Sequence, residues 1–214
     1  MVKKYAIDAN ILIGSGRNYY SFEIAPAFWS QLVEKGSEKI ILVDAVRDEI
    51  YKNEDRLTEW LKENEKSFII GSSEDEKVIE TYTKVITTIE LSTRYYASAK
   101  AYFAGNADSW LCAHALAHGY TIVTQEKYEP NSKKIVKIPN VCKKFAMNYI
   151  DQFRFMKEIG IRLVQGGLDV SWTRSPIYDQ RSGDGVFRPL SFVVKVIKDH
   201  PPLYCGRSIL LLLS

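Results

Sequence analysis

Apolar residues fall along this chain in two alternating kinds of stretch. Short continuous runs occur at Tyr5–Ile7, Lys39–Val43, Tyr120–Thr124 and Ile135–Ile138. Between them, apolar residues recur every three or four positions. The first pattern suits strands covered on both faces and the second amphipathic helices. The predicted helices carry their own boundary signals. Pro26 opens one with Phe28, Trp29 and Leu32 on its face, and Gly36 ends it. Asp44 is an N-cap for Ala45–Tyr51, and a further helix over about Asp55–Asn64 buries Leu57, Trp60 and Leu61. Glu74–Phe103 reads as two helices broken near Leu91–Thr93. Asn106 caps a helix from Ala107, with Leu111, Cys112, Ala115 and Leu116 on its apolar face and Gly119 as its stop. Pro139-Asn140 starts a short helix through Phe145, and Asp151–Ile159 is a helix closed by Gly160. Phe68–Ile70, Met147–Ile150 and Ile161–Leu163 read as further short extended pieces, while Gly14-Ser15-Gly16 loosens the chain after Ile11–Ile13. Strands alternating with helices predict an α/β fold, a mainly parallel central sheet with helices on both faces.

The pattern changes after Leu163. Residues 164–214 hold four of the seven prolines and five of the twelve glycines, and only Leu190–Ile197 reads as a strand. The expected organisation is therefore a domain over 1–163 and a weakly structured tail over 164–214, outside the native fold or out of frame. A small adapter subdomain is the alternative. Composition adds little: a net charge of +3 with no long single-sign block does not announce a nucleic-acid binder. Cys112, Cys142 and Cys205 are too few and too scattered for a disulfide framework or a zinc site. No apolar signal core opens the chain, and Ile209–Leu213 is too short to span a bilayer. The reading is a cytoplasmic protein with no membrane partner.

Four acids occupy related places in this layout. Asp8 follows the first strand, Glu49 lies on the helix after the second, Asp108 opens the central helix, and Glu126 follows the strand after it. In a parallel sheet with right-handed connections, strand ends and helix starts share one rim. Clustered carboxylates repel unless something neutralises them, and a hard divalent cation such as Mg²⁺ or Mn²⁺ does so through oxygen ligands. Such an ion can activate water and stabilise the leaving oxygen of a phosphodiester. Asn10 and Thr124 are placed to orient the acids by hydrogen bonds. Asp48 adjoins Glu49, and at about 100° per residue only one of the two can face the site. The competing reading is that these acids cap helices and solvate loops. His114 and His118 are four residues apart but lack the Glu of a His-Glu-x-x-His zinc motif, so surface or helix-end positions are expected for them. Arg17, Tyr19, Tyr20 and Lys127 are candidates for RNA contact, with core packing as the alternative for the tyrosines.

Asp8-Ala9-Asn10 after a strand, Glu49 in a Val-x-x-Glu-Ile run, Ala107-Asp108 opening an alanine-rich helix, and His118-Gly119-Tyr-Thr-Ile-Val-Thr124 together resemble the PIN-domain family of metal-dependent ribonucleases. The resemblance covers about Met1–Leu163. Arg17-x-Tyr19-Tyr20 with Phe28-Trp29 resembles a poorly characterised PIN-like subfamily often encoded beside an antitoxin-type partner. The resemblance implies a three-layer PIN-like fold, Mg²⁺ or Mn²⁺ as cofactor, and RNA as substrate. It further implies a toxin role with a cognate antitoxin protein, a homodimer being compatible with it. Asp8, Glu49, Asp108 and Glu126 take the catalytic and metal-binding roles, converging within a few ångströms of a common metal position. Where the family has Asp two residues past the Thr, this chain has Glu126. That departure keeps a second reading in view, a catalytically weak PIN-like module that binds RNA or protein. A third, a metal-dependent phosphoryl hydrolase of small substrates, lacks a phosphate loop, since Gly14-Ser15-Gly16 has no Walker lysine.

Overall fold

The computed structural model describes residues 2–163, together with Asp169–Val170 and Val196–Ile197. The chain divides into a unit of residues 1–163 and a unit of residues 164–214. In the second, Asp169–Val170 pairs antiparallel with Val196–Ile197. Apart from those four residues, the tail and the rest of its expected strand lie outside the described residues.

The first unit is built on one five-stranded sheet. Its strands are β1 (Tyr5–Ile7), β2 (Ile40–Val43), β3 (Ile69–Gly71), β4 (Thr121–Val123) and β5 (Tyr149–Ile150). They lie in the order β3-β2-β1-β4-β5, and every pairing is parallel. Every residue of β1, β2 and β4 is buried, so both faces of these three strands are covered. Such strands need apolar residues at successive positions, which is why they read as continuous runs. The outer strands are less covered, with Ile70 of β3 exposed.

The helices supply the cover: α1 (Ala9–Gly14), α2 (Pro26–Gly36), α3 (Asp44–Tyr51), α4 (Arg56–Asn64), α5 (Glu76–Glu90), α6 (Ala97–Ala104), α7 (Ala107–His118), α8 (Ile138–Lys144) and α9 (Gln152–Ile159). The central helix, α7, is buried nearly all round, including Leu111, Cys112, Ala113 and Ala115. Its small side chains let neighbours approach from several sides. The long α5 lies along it, with Tyr82 stacked on Trp110 at 4.0 Å between ring centroids. The α5–α6 pair therefore clamps the helix that carries Asp108. Gly119 ends α7 in the left-handed conformation at φ 72°, and Gly160 ends α9 at φ 82°.

Four expectations are corrected. Ile135–Ile138 is not a strand. Ile138 opens α8, Pro139 sits in its first turn, and the sheet position next to β4 is taken by Tyr149–Ile150. The run is apolar because Val136 and Ile138 are buried in the core without pairing. Ile161–Leu163 is also not a strand, since the Ile161 N–H closes the α9 terminus on the Met156 carbonyl at 2.8 Å. Residues 9–19 do not loosen after β1. They continue as α1 and then as a π-helical turn, Ser15–Tyr19, anchored by fully buried Ser15. His114 is not a surface residue but is buried against Gly71.

Candidate active site

Because all five strands are parallel, their carboxyl ends share one edge of the sheet. Successive strands proceed from β1 outward through β2 to β3, and the chain then crosses to β4 on the other side of β1. The crevice between the ends of β1 and β4 is thus the point where the winding reverses, where α/β sheets form their sites. Asp8 follows β1 directly and is almost fully buried, at 1% exposure. It is also the N-cap of α1: its Oδ1 accepts the Asn10 backbone N–H at 3.0 Å. Its Oδ2 accepts the Thr124 hydroxyl at 2.8 Å, and the Thr124 Oγ1 accepts the Glu126 N–H at 3.1 Å. One threonine at the end of β4 therefore ties together two of the four acids. Asp108 reaches the same edge because α7 runs antiparallel to the strand it precedes, so its first turn lies at the strand ends. Glu49 is half-buried on α3, while its neighbour Asp48 is exposed and paired with Arg47 at 2.8 Å. The helix thus turns Glu49 rather than Asp48 inward.

The four carboxyls share one field. Burial is the first cause in every case, and it pushes all four upward from the ordinary carboxylate range. For Asp8, hydrogen bonds from Asn10 and Thr124 pull partly back. For Glu49, the Asp8 charge adds to burial and Lys52 opposes it. Asp108 is pushed up to about 7, by burial and then by the charges of Asp8, Glu126 and Glu49 in that order. For Glu126, the Ile138 N–H pulls down against burial, the Asp8 charge pushes up, and Lys137 pulls down. Asp8 enters the surroundings of each of the other three, which makes it the hub of the group.

Lys52 and Lys137 offset part of this charge, but no salt bridge among the described residues reaches any of the four acids. Neither Glu49 nor Asp108 accepts a side-chain hydrogen bond among those residues, and their oxygens are left available. The donor set is all oxygen and strongly anionic, which suits a hard divalent cation rather than zinc or a softer ion. Among the described residues, no three His, Cys, Asp or Glu side chains are drawn together closely enough to hold a metal ion as they stand.

The remaining candidates are placed differently. Asn10 holds Asp8 through its backbone N–H, and its side chain adds to the downward pull on the Asp8 carboxyl. Arg17 is turned to Asp55 at the start of α4, at 2.9 Å. Tyr19 is exposed, and Tyr20 is stacked on Phe28 at 4.5 Å as a packing residue. Lys127 is exposed beside Glu126. Two features escaped the sequence. Glu126 Oε2 accepts the N–H of Ile138 at 2.7 Å, so this acid holds the first turn of α8 as well as facing the crevice. A polar relay also runs inward from the exposed Gln125: Gln125 Nε2 donates to Gln152 Oε1 at 3.0 Å, Gln152 Nε2 to buried Ser15 Oγ at 2.5 Å, and Ser15 Oγ to the Ile11 carbonyl at 2.7 Å. It fixes the loop carrying Glu126 against α1 and α9. Glutamines and serines scattered over 137 positions leave no local pattern from which to infer it.

A family described as a domain of unknown function (DUF4411) matches residues 5–163. The chain matches none of the curated proteins. A crystal structure of VapBC2 from Rickettsia felis bound to a DNA fragment from their promoter is similar over 69% of this chain and 97% of that chain, at 17% identity and a TM-score of 0.44.

Proposed function

We propose that this chain, which belongs to the DUF4411 family, is a metal-dependent endoribonuclease whose site is the crevice between β1 and β4. The observation that carries the reading is the group of four carboxyls at the carboxyl edge of the sheet, each raised by burial and three of them by Asp8. A protein that keeps four mutually repelling acids there accepts a cost in stability, and a cation that they bind would relieve it. Asp8, Glu49, Asp108 and Glu126 would hold Mg²⁺ or Mn²⁺, and the ion, when bound, supplies an activated water and neutralises charge on the phosphate. Asp8 is the fixed member, held on both oxygens by Asn10 and Thr124. Glu126 is held on one oxygen by Ile138 and keeps the other for the site. Glu49 and Asp108, unbonded, are the members free to close inward. The extra methylene of Glu126, relative to Asp, is what lets it reach Ile138 from the end of β4.

The toxin role, the cognate antitoxin and RNA as substrate rest on the resemblance of Asp8-Ala9-Asn10, Ala107-Asp108 and the Gly119–Thr124 run to PIN-domain nucleases. Cleavage of single-stranded RNA with Mg²⁺ or Mn²⁺, beside an Asp8→Asn control, tests the chemistry. The wild type should cut and Asp8→Asn should not, with unchanged circular dichroism, because Asn retains the shape and loses the charge. Equal cleavage by both proteins would remove the four-acid mechanism. Expression of the chain alone should impair growth, and a neighbouring antitoxin should relieve it. Glu126 standing where the PIN-domain family has Asp favours one second reading, a weakly catalytic RNA- or protein-binding module. Metal-independent RNA binding without cleavage is its signature.

A further inference from the structure

Beside the acid crevice lies a groove of about 580 Å³ that the nuclease reading does not use. Thr124 and Glu126 belong to both, so groove and crevice are continuous. Its walls come from two elements that end at the same sheet edge: Lys127 and Tyr128 after β4, and Phe153 and Arg154 in the first turn of α9. Phe153 is 63% exposed, on a helix whose Phe155, Met156 and Ile159 already serve the core. An aromatic ring turned to water beside a polar groove is not there for packing. Tyr128 is also partly exposed, with Lys143 Nζ lying 3.7 Å from its ring centroid. Arg154 commits Nε to Glu158 at 2.8 Å, yet its side chain is 65% exposed and its terminal nitrogens have no partner among the described residues. Asp151, the one other acid of the groove besides Glu126, is occupied in capping α9 through the Arg154 N–H at 2.8 Å.

Three aromatic side chains, Phe153, Tyr128 and the half-buried Tyr149, and two cations flanking a site for phosphodiester cleavage match a nucleotide with a splayed-out base. In duplexes the base faces are already stacked and cannot reach such rings, so the match is to a single strand. We infer that this groove, and not the Arg17–Tyr20 turn, holds a nucleotide of single-stranded RNA next to the cleaved phosphodiester. Its base stacks on Phe153, Tyr128 forms the other aromatic wall, and its phosphate lies near Lys127 and Arg154. The inference rests on the ribonuclease reading for its substrate, while the groove itself can be tested without catalysis.

The test uses full-length Asp8→Asn protein, which keeps the fold and leaves the probe uncut. The probe is a labelled single-stranded RNA of roughly ten nucleotides, within the span such grooves engage, read by fluorescence anisotropy. Phe153→Ala in this background should weaken binding about 5- to 150-fold, the loss typical of one stacked base. An abasic nucleotide at one position of the RNA should cause a similar loss and add none to Phe153→Ala. Arg17→Ala should bind like its parent. If Phe153→Ala and Tyr128→Ala bind as tightly as the parent and the abasic scan is flat, the groove is not a nucleotide site; a protein partner on the same rings would give that result. Metal-dependent cleavage by the wild type separates the two readings. Cleavage with a flat scan removes the groove alone, whereas Phe153-dependent binding without cleavage upholds the groove and removes the nuclease.

Discussion

Replacing Asp108 by Asn should make the metal-free protein more stable while removing its activity. The side chain keeps its size and loses a charge that the fold resists. Burial and three acidic neighbours raise the Asp108 carboxyl from 3.8 to about 7. At about 1.4 kcal/mol per pH unit, that displacement has a ceiling of about 4 kcal/mol. The neighbours share protons with Asp108 and relieve part of this, so about 2 kcal/mol is the working expectation, or about 4–8 °C in the melting temperature of a chain this size. The sign follows from linkage. The folded state holds the proton more tightly than the unfolded chain, so the penalty from Asp108 is absent below 3.8. It grows as pH rises towards 7 and is full above that. Urea unfolding in EDTA at about pH 7.5 and about pH 4 reads both ends, and the advantage of Asp108→Asn should shrink to less than about 1 kcal/mol at the acidic end. A variant less stable than its parent at neutral pH, or equally advantaged at both, would show that Asp108 is not held in a field of like charges.

Three further outcomes follow from contacts elsewhere. Gly71→Ala would bring a Cβ within 3.0 Å of His114 Cε1 and 3.2 Å of Ile41 Cγ2, and urea unfolding should show a loss of about 1–3 kcal/mol. Glu126→Asp should lose the bond to the Ile138 N–H and cost about 1–3 kcal/mol, whereas Glu126→Gln retains the acceptor and the stability; thermal melts separate the two. Glu158 accepts from Lys3, Tyr5 and Arg154, whose bonds hold it down to about 2. Its contribution is present above the ordinary 4.5 and lost as pH falls through 2. Exposure to solvent reduces that contribution to about 1 kcal/mol, so Glu158→Gln should lower stability at neutral pH and match wild type in acid.

The strands β1, β2 and β4 were legible because burial on both faces demands apolar residues in succession. The same demand misled at Ile135–Ile138, where Val136 and Ile138 enter the core from a loop and a helix start. Periodicity registers burial but not the partner, and the true neighbour of β4 is only two residues long. Asp8 and Asp108 could be placed because a strand end and a helix start are topological positions. Between Asp48 and Glu49 the turn of a helix could not choose, and Glu49 came from the Val-x-x-Glu-Ile resemblance; the structure pairs Asp48 with Arg47. The second role of Glu126 and the Gln125–Gln152–Ser15 relay depend on residues far apart in sequence, as does the burial of His114 against Gly71. A histidine off the leucine face reads as exposed until the edge strand β3 is known to bring Gly71 against it.

The sheet order has a consequence for the timing of synthesis. The middle strand, β1, is the first to be made, and its neighbour β4 arrives more than a hundred residues later. Until then the hairpinless half-sheet β3-β2-β1 leaves one side of β1 unpaired, and Asp8 waits without the Thr124 hydroxyl or the carboxylates of Asp108 and Glu126. The polar relay needs Gln152, so the loop carrying Glu126 is fixed only after α9 has begun to form. A nascent chain on the ribosome therefore carries an unfinished crevice, and the four acids come together only when nearly the whole first unit has been released.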